Sequence, residues 1–100
     1  MKATRFVVDP AHPSLPGHFP GRPVVPGVVL LDHVFAAVAA AHPELPAVAG
    51  LDSAKFLSQV LPGEDIAVEC RRAPSDRLDF IAARNGTPVL RGRAVLTGER

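Results

Sequence analysis

A histidine and an aspartate, His18 and Asp32, stand fourteen positions apart in the stretch GHFPGRPVVPGVVLLDHV, with Gly27 between them. A histidine titrates near neutral pH and can take a proton from a carbon beside a polarised carbonyl. A carboxyl group in apolar surroundings tends towards a raised pKa and can then donate a proton. Gly27 opens an apolar run that reads as a helix. A helix start offers unpaired N–H groups and partial positive charge to a carbonyl oxygen, and a glycine there lets a substrate come close. Base, acid and oxyanion donor together suit elimination of water from a 3-hydroxyacyl compound. Ordinary structure fits the same residues: a loop histidine at the surface, and an aspartate near a helix start worth about 0.3–1 kcal/mol against the dipole. Type and spacing leave both readings open.

The elements that would hold these groups follow from pattern. Residues 5–9 (RFVVD) are β-rich and end at Pro10, so they read as a strand. Prolines 10, 13, 16, 20, 23 and 26, with glycines 17, 21 and 27, make the next segment a stiff irregular loop. Residues 27–42 predict a helix, closed by Pro43 and apolar around most of its circumference, hence buried under a wrapped sheet. Residues 48–60 read as extended and stop at the turn LPGED. Ile66, Val68 and Cys70 then alternate with Ala67, Glu69 and Arg71 as in a half-buried strand. A turn is expected at APSD (73–76), and Asn85-Gly86 joins residues 78–84 to 89–96 as a hairpin. Leu90, Ala94 and Leu96 share one face of the last strand, Arg91 and Arg93 the other. The expectation is α+β, an antiparallel sheet curled around one helix in a single domain spanning residues 1–100.

Bulk properties narrow the function classes. One hundred residues, 47% hydrophobic and 21% charged, suit a small globular domain that a partner subunit would help to stabilise. A net charge of +1 gives no case for nucleic acid or an anionic membrane. One cysteine, Cys70, excludes an intrachain disulfide, and no Cys/His spacing suggests a metal site. The N-terminus lacks the apolar core of a signal peptide, and residues 24–41 are broken by Pro26, Gly27, Asp32 and His33, against a membrane span. A cytoplasmic location is expected.

The segment from His18 to Asp32 resembles the active-site motif of bacterial 3-hydroxyacyl-[acyl-carrier-protein] dehydratases, the FabA/FabZ family with the hotdog fold. That motif reads His-Phe-Pro-Gly-x-Pro-x-x-Pro-Gly-Val-Leu-x-x-Glu/Asp. It is matched by His18, Phe19, Pro20, Gly21, Pro23, Pro26, Gly27, Val28 and Asp32, with Val29 replacing the leucine. KFLSQVLPGEDI at 55–66 is similar to the family's second hallmark, a Lys/Arg-Phe strand leading to a Pro-Gly-Asp-like turn.

The resemblance implies that His18 is the general base, Asp32 the acid, and the Gly27 N–H the holder of the thioester oxygen. It implies a homodimer in which each site takes its histidine from one subunit and its acid from the other, with higher assembly open. It implies a carrier-protein substrate bearing a phosphopantetheine-linked 3-hydroxyacyl chain, and no metal or redox cofactor. Phe19, Val24, Val25, Leu31 and Phe56 become candidates for acyl contact, and Arg22 for carrier contact. Usual family members run longer before the histidine, and an aspartate acid is the FabA choice in an otherwise FabZ-like chain. Short hotdog dehydratases of this kind resemble accessory enzymes of polyketide-like or aryl-polyene pathways as much as those of fatty-acid synthesis. The competing readings are a non-catalytic hotdog subunit that binds acyl chains or pairs with an active paralogue, and a hotdog acyl thioesterase.

Outside the motif, His33 is expected in the core or an interface, and His12 and His42, beside prolines, at the surface. Cys70 is expected in the core. Arg71, Arg72, Arg77, Arg84, Arg91 and Arg93 form either a solvated sheet face or a basic patch for an acidic carrier protein.

Overall fold

A computed structural model describes residues 4–10 and 24–98. It contains strand β1 (Thr4–Val7), helix α1 (Gly27–Ala41), and strands β2 (Val48–Phe56), β3 (Asp65–Ala73), β4 (Arg77–Arg84) and β5 (Thr87–Leu96). The strands form one antiparallel sheet in the order β1-β3-β4-β5-β2. The α+β order expected from the sequence is therefore present, with β2 ending four residues sooner than the extended segment expected at 48–60. No helix among the described residues is long and apolar enough to cross a membrane.

Alternation builds the core. Ile66, Val68 and Cys70 on β3, Leu78, Phe80 and Ala82 on β4, and Leu90, Ala94 and Leu96 on β5 turn to the same side and are buried. Tight turns supply the register. Asn85 and Gly86 both have positive φ (52° and 81°), the two-residue hairpin that Asn-Gly favours. Val89 is buried next to Leu90, breaking the alternation. The pairing moves from Ala82↔Leu90 to Ala83↔Pro88, so Val89 is the extra residue of a bulge.

Helix α1 packs closest on β1 and β3. Val29, Leu30, Val34 and Val38 form its buried stripe, each side chain contributing on the order of 1.5–3 kcal/mol by leaving water. The edge of the Phe35 ring meets Phe80 at 5.4 Å between centroids. The helix is not enclosed all round, as its composition had suggested. Val28, Asp32, Ala36, Ala39 and Ala40 are exposed on the side turned from the sheet. The physical reason is that a single sheet offers one apolar face and covers one side of a helix.

One further expectation is corrected. His42 is buried, 7% exposed, because it continues the Val34–Val38 stripe by one more turn, with Glu44 at 3.5 Å from its Nδ1. Of the six sheet arginines, four are ion-paired, and Arg71, Arg72, Arg91 and Arg93 are exposed, as on a solvated sheet face. Arg93 grips Asp79 (2.6 Å), Arg77 binds Asp52 (2.7 Å), Arg84 binds Glu64 (2.8 Å) and Arg72 reaches Asp76 (3.4 Å). Cross-strand register puts Arg93 opposite Asp79, so that pairing follows from the sheet itself. Cys70 lies in the core as expected, and burial pushes its thiol pKa up. His12 lies outside the described residues.

Candidate active site

Pro26 caps the start of α1 in extended conformation, and no described side chain caps the free N–H groups of the first turn. The Pro26 carbonyl accepts the Leu30 N–H at 3.0 Å, closing that turn. One residue earlier, the Val25 N–H donates to the Val60 carbonyl at 2.8 Å. The chain entering the helix is thus tied to the loop between β2 and β3. Val24, Val25, Gly27, Phe56, Leu57 and Gln59 line a groove of about 390 Å³ at this point.

The Phe56 ring forms a wall against the glycine. A Cβ on Gly27 would stand 3.0 Å from Phe56 Cζ and 3.2 Å from Cε1. Phe56 is nevertheless 48% exposed. An aromatic ring half in water, beside backbone donors at a helix start, makes an apolar contact surface next to a polar anchor.

The sequence-expected residues divide as follows. Gly27, Val24, Val25 and Phe56 come together in this groove, Val25 also belonging to the core. Leu31 packs against the core from the next turn and does not line the groove. Asp32 is exposed on the outer stripe of the helix, four residues after exposed Val28, and makes no hydrogen bond or ion pair with a described residue. The enclosed, apolar setting expected for its carboxyl group is not provided by the described residues. His18, Phe19 and Arg22 lie outside the described residues. His33 is half-buried, its ring tilted at 41° against Phe6 with centroids 5.4 Å apart and its Nδ1 2.9 Å from the Val29 carbonyl. That contact fits the tautomer with the proton on Nδ1.

Residues that the sequence reading did not assign to the site also shape it. Arg84, read as one of the sheet arginines, reaches into the β2–β3 loop, where Nη1 donates to the Gln59 carbonyl and Glu64 Oε1, each at 2.8 Å. Its Nη2 donates to Ser58 Oγ at 3.1 Å. Glu64 Oε1 also accepts the Leu61 N–H at 2.8 Å. The Leu61 N–H is the largest cause holding the Glu64 carboxyl below its ordinary pKa; burial opposes it, and Arg84 adds to the lowering. A local signal was available: Glu64 three residues after Leu61 in LPGED fits a side chain closing its own turn.

A second cleft, of about 300 Å³, lies at the other end of α1 between Phe35, Val38, His42, Leu78 and Leu96. None of the sequence-expected site residues lines it. Among the described residues no cluster of three or more His, Cys, Asp or Glu side chains is arranged to hold a metal ion.

One antiparallel sheet packed on a single helix, with a groove at the helix start, defines the hotdog class. Solved structures of similar fold include the dehydratase heterocomplex ApeI:P from Xenorhabdus doucetiae, with TM-score 0.78 and 21% identity over 96% of this chain and 86% of that one. A variant of the fluoroacetyl-CoA-specific thioesterase FlK is also similar, with TM-score 0.68 and 18% identity over 94% and 84% of the two chains. At such identities the likeness is one of fold.

Residues 2–93 match the ApeI-like family, described as ApeI dehydratase, and the chain belongs to that family. Among curated relatives it is 35% identical to the 3-hydroxyacyl-[acyl-carrier-protein] dehydratase FabZ of Symbiobacterium thermophilum, over 87% of this chain and 61% of the relative. It is 34% identical to FabZ of Proteus mirabilis, over 87% and 59%. The chain spans about three fifths of the length of these relatives.

Proposed function

We propose that this chain removes water from 3-hydroxyacyl thioesters carried on an acyl carrier protein, giving trans-2-enoyl thioesters for fatty-acid or polyketide-like synthesis. The observation that carries this reading is the helix start at Gly27, which no described side chain caps, held by the Val25–Val60 hydrogen bond in a groove beside Phe56, within the His18–Asp32 motif. The Gly27 N–H donates to the thioester carbonyl oxygen, where negative charge gathers as the neighbouring C–H bond breaks. His18 takes that proton as general base. The Asp32 carboxyl protonates the departing 3-hydroxyl, and the carbon–oxygen bond breaks to leave a carbon–carbon double bond and water.

Asp32 stands on the exposed stripe, outside the Gly27 groove of its own chain. This supports a homodimer in which His18 of one subunit serves Asp32 of the other. The shape of the chain supports the same assembly. Every position of edge strand β2 except Val48 and Ala54 is exposed, including Leu51 and Phe56. A long exposed edge strand is a template for pairing. A second copy would cover it, together with the outer stripe of α1.

For the carrier protein, Lys55 and Arg91 are the cations best placed. They face each other across β2 and β5, both exposed, and neither bonds to a described carboxylate. Two like charges in that register repel, and an acidic partner relieves them. Arg22 joins them as a candidate.

Incubation of the purified protein with 3-hydroxyacyl carrier proteins of several chain lengths, read by intact mass, tests this reading. Loss of one water, abolished in His18→Ala and Asp32→Asn, is the expected result. Release of free carrier protein would mark a thioesterase instead. No change with any chain length would leave a binding subunit.

A further inference from the structure

We propose that Arg84 is a positioning residue for the Gly27 site, acting through the β2–β3 loop. The loop leaves β2 with the Leu57 N–H on the carbonyl of Val89, the bulge residue of β5, at 2.8 Å. Over the next residues the Arg84 guanidinium takes Ser58 Oγ, the Gln59 carbonyl and Glu64 Oε1 together. Val60, between these contacts, is buried and presents its carbonyl to the Val25 N–H at 2.8 Å. Val25 precedes Gly27 by two residues, so the direction of the Gly27 N–H depends on where Val60 sits.

The chemistry of the guanidinium suits this task. Its planar fork presents several donors in fixed directions, and an ammonium group cannot reproduce three separated contacts. Arg84 and Glu64 are each less than a third exposed, so the pair is partly shielded from water. Arg84 also closes β4 immediately before the Asn85-Gly86 turn, which gives the side chain a rigid base. Among the described residues, backbone hydrogen bonds tie the loop to the rest of the fold at Leu57, Val60 and Gly63, whose N–H meets the Val8 carbonyl at 2.9 Å. The stretch Ser58–Gln59 is fixed by Arg84.

The catalytic consequence rests on the dehydratase reading, whereas the positioning itself does not. The test therefore measures both, on the full chain. In Arg84→Met, which keeps the stem and removes the fork, amide hydrogen exchange at Val25 is expected to rise by at least roughly tenfold with the β3–β4 ladder amides unchanged. Dehydration kcat is expected to fall about tenfold, from a misdirected donor, with KM within about threefold. Arg84→Lys should recover only part of each effect. Glu64→Gln, which keeps an acceptor at Oε1, should perturb Val25 less than Arg84→Met. Unchanged exchange at Val25 in Arg84→Met would overturn the proposal, as would a uniform rise across the ladder amides. If the wild type dehydrates nothing, the functional reading fails while the exchange data still decide the role of Arg84.

Discussion

The ring of Phe56 lies against the backbone of Gly27, so close that a methyl group on the glycine would stand 3.0 Å from Cζ. This contact, and not an unusual backbone angle, is what the small residue accommodates at the head of α1. Alanine is favoured over glycine in a helix by up to about 1 kcal/mol. The nearest atoms are the far end of a half-exposed ring, which can swing outward. Gly27→Ala is therefore expected to stay within about 1 kcal/mol of the wild type in a urea titration. Gly27→Ala in a Phe56→Ala background should be more stabilising than in the wild type. Identical effects in both backgrounds would show that the ring and the glycine are not coupled.

Gly92 behaves in the opposite way. A Cβ there would collide with the Ser53 carbonyl oxygen on β2 and lie 2.7 Å from Phe80 Cζ. A backbone oxygen and a fully packed core ring cannot both yield. Gly92→Ala is expected to lower stability by about 3 kcal/mol, at the upper end of overpacking costs. A shift in the denaturation midpoint by calorimetry or urea would check it.

These two glycines show what a one-dimensional reading contains. The alternation of Ile66, Val68 and Cys70 and the Asn85-Gly86 turn announced the sheet, because both signals are local. The apolar run after Gly27 announced the helix for the same reason. Nothing local states that Gly92 faces Phe80, that Val89 is a bulge, or that Arg84 meets Glu64 twenty residues earlier in the chain. The exposed stripe through Val28, Asp32 and Ala36 was misread because apolar composition looks alike whether the cover is the chain's own sheet or a second subunit. Of the candidate site, Gly27 and its groove were legible through the motif. The buried position of His42 was hidden by the proline that follows it.

Asp32 separates function from stability. Its side chain is exposed and bonds to no described residue. Asp32→Asn is expected to change stability by no more than about 0.5 kcal/mol, as at an ordinary surface site. Turnover should fall about 10²–10⁴-fold if the carboxyl group is the acid. Parallel measurement of melting temperature and of water loss from a 3-hydroxyacyl carrier protein would check the contrast.

Glu64 predicts a pH dependence with a definite sign. Its folded pKa lies below the ordinary value of 4.5, first because of the Leu61 N–H and then because of Arg84. Its ionic contribution is therefore fully present above that ordinary value and is lost as pH falls through the folded pKa. The stability difference between wild type and Glu64→Gln should be constant around pH 7 and shrink below about pH 4.5. Urea titrations at a series of pH values would show it.

The central claim is a dehydration site shared between two copies of the chain, with His18 from one and Asp32 from the other. It is tested most directly by mixing His18→Ala with Asp32→Asn after subunit exchange has been confirmed by mass spectrometry. Each mixed dimer then holds one site with both native groups. Random exchange should restore about a quarter of wild-type water loss, since half the dimers are mixed and each has one working site of two. No activity above that of the separate variants, in a sample shown to contain mixed dimers, would contradict the shared site.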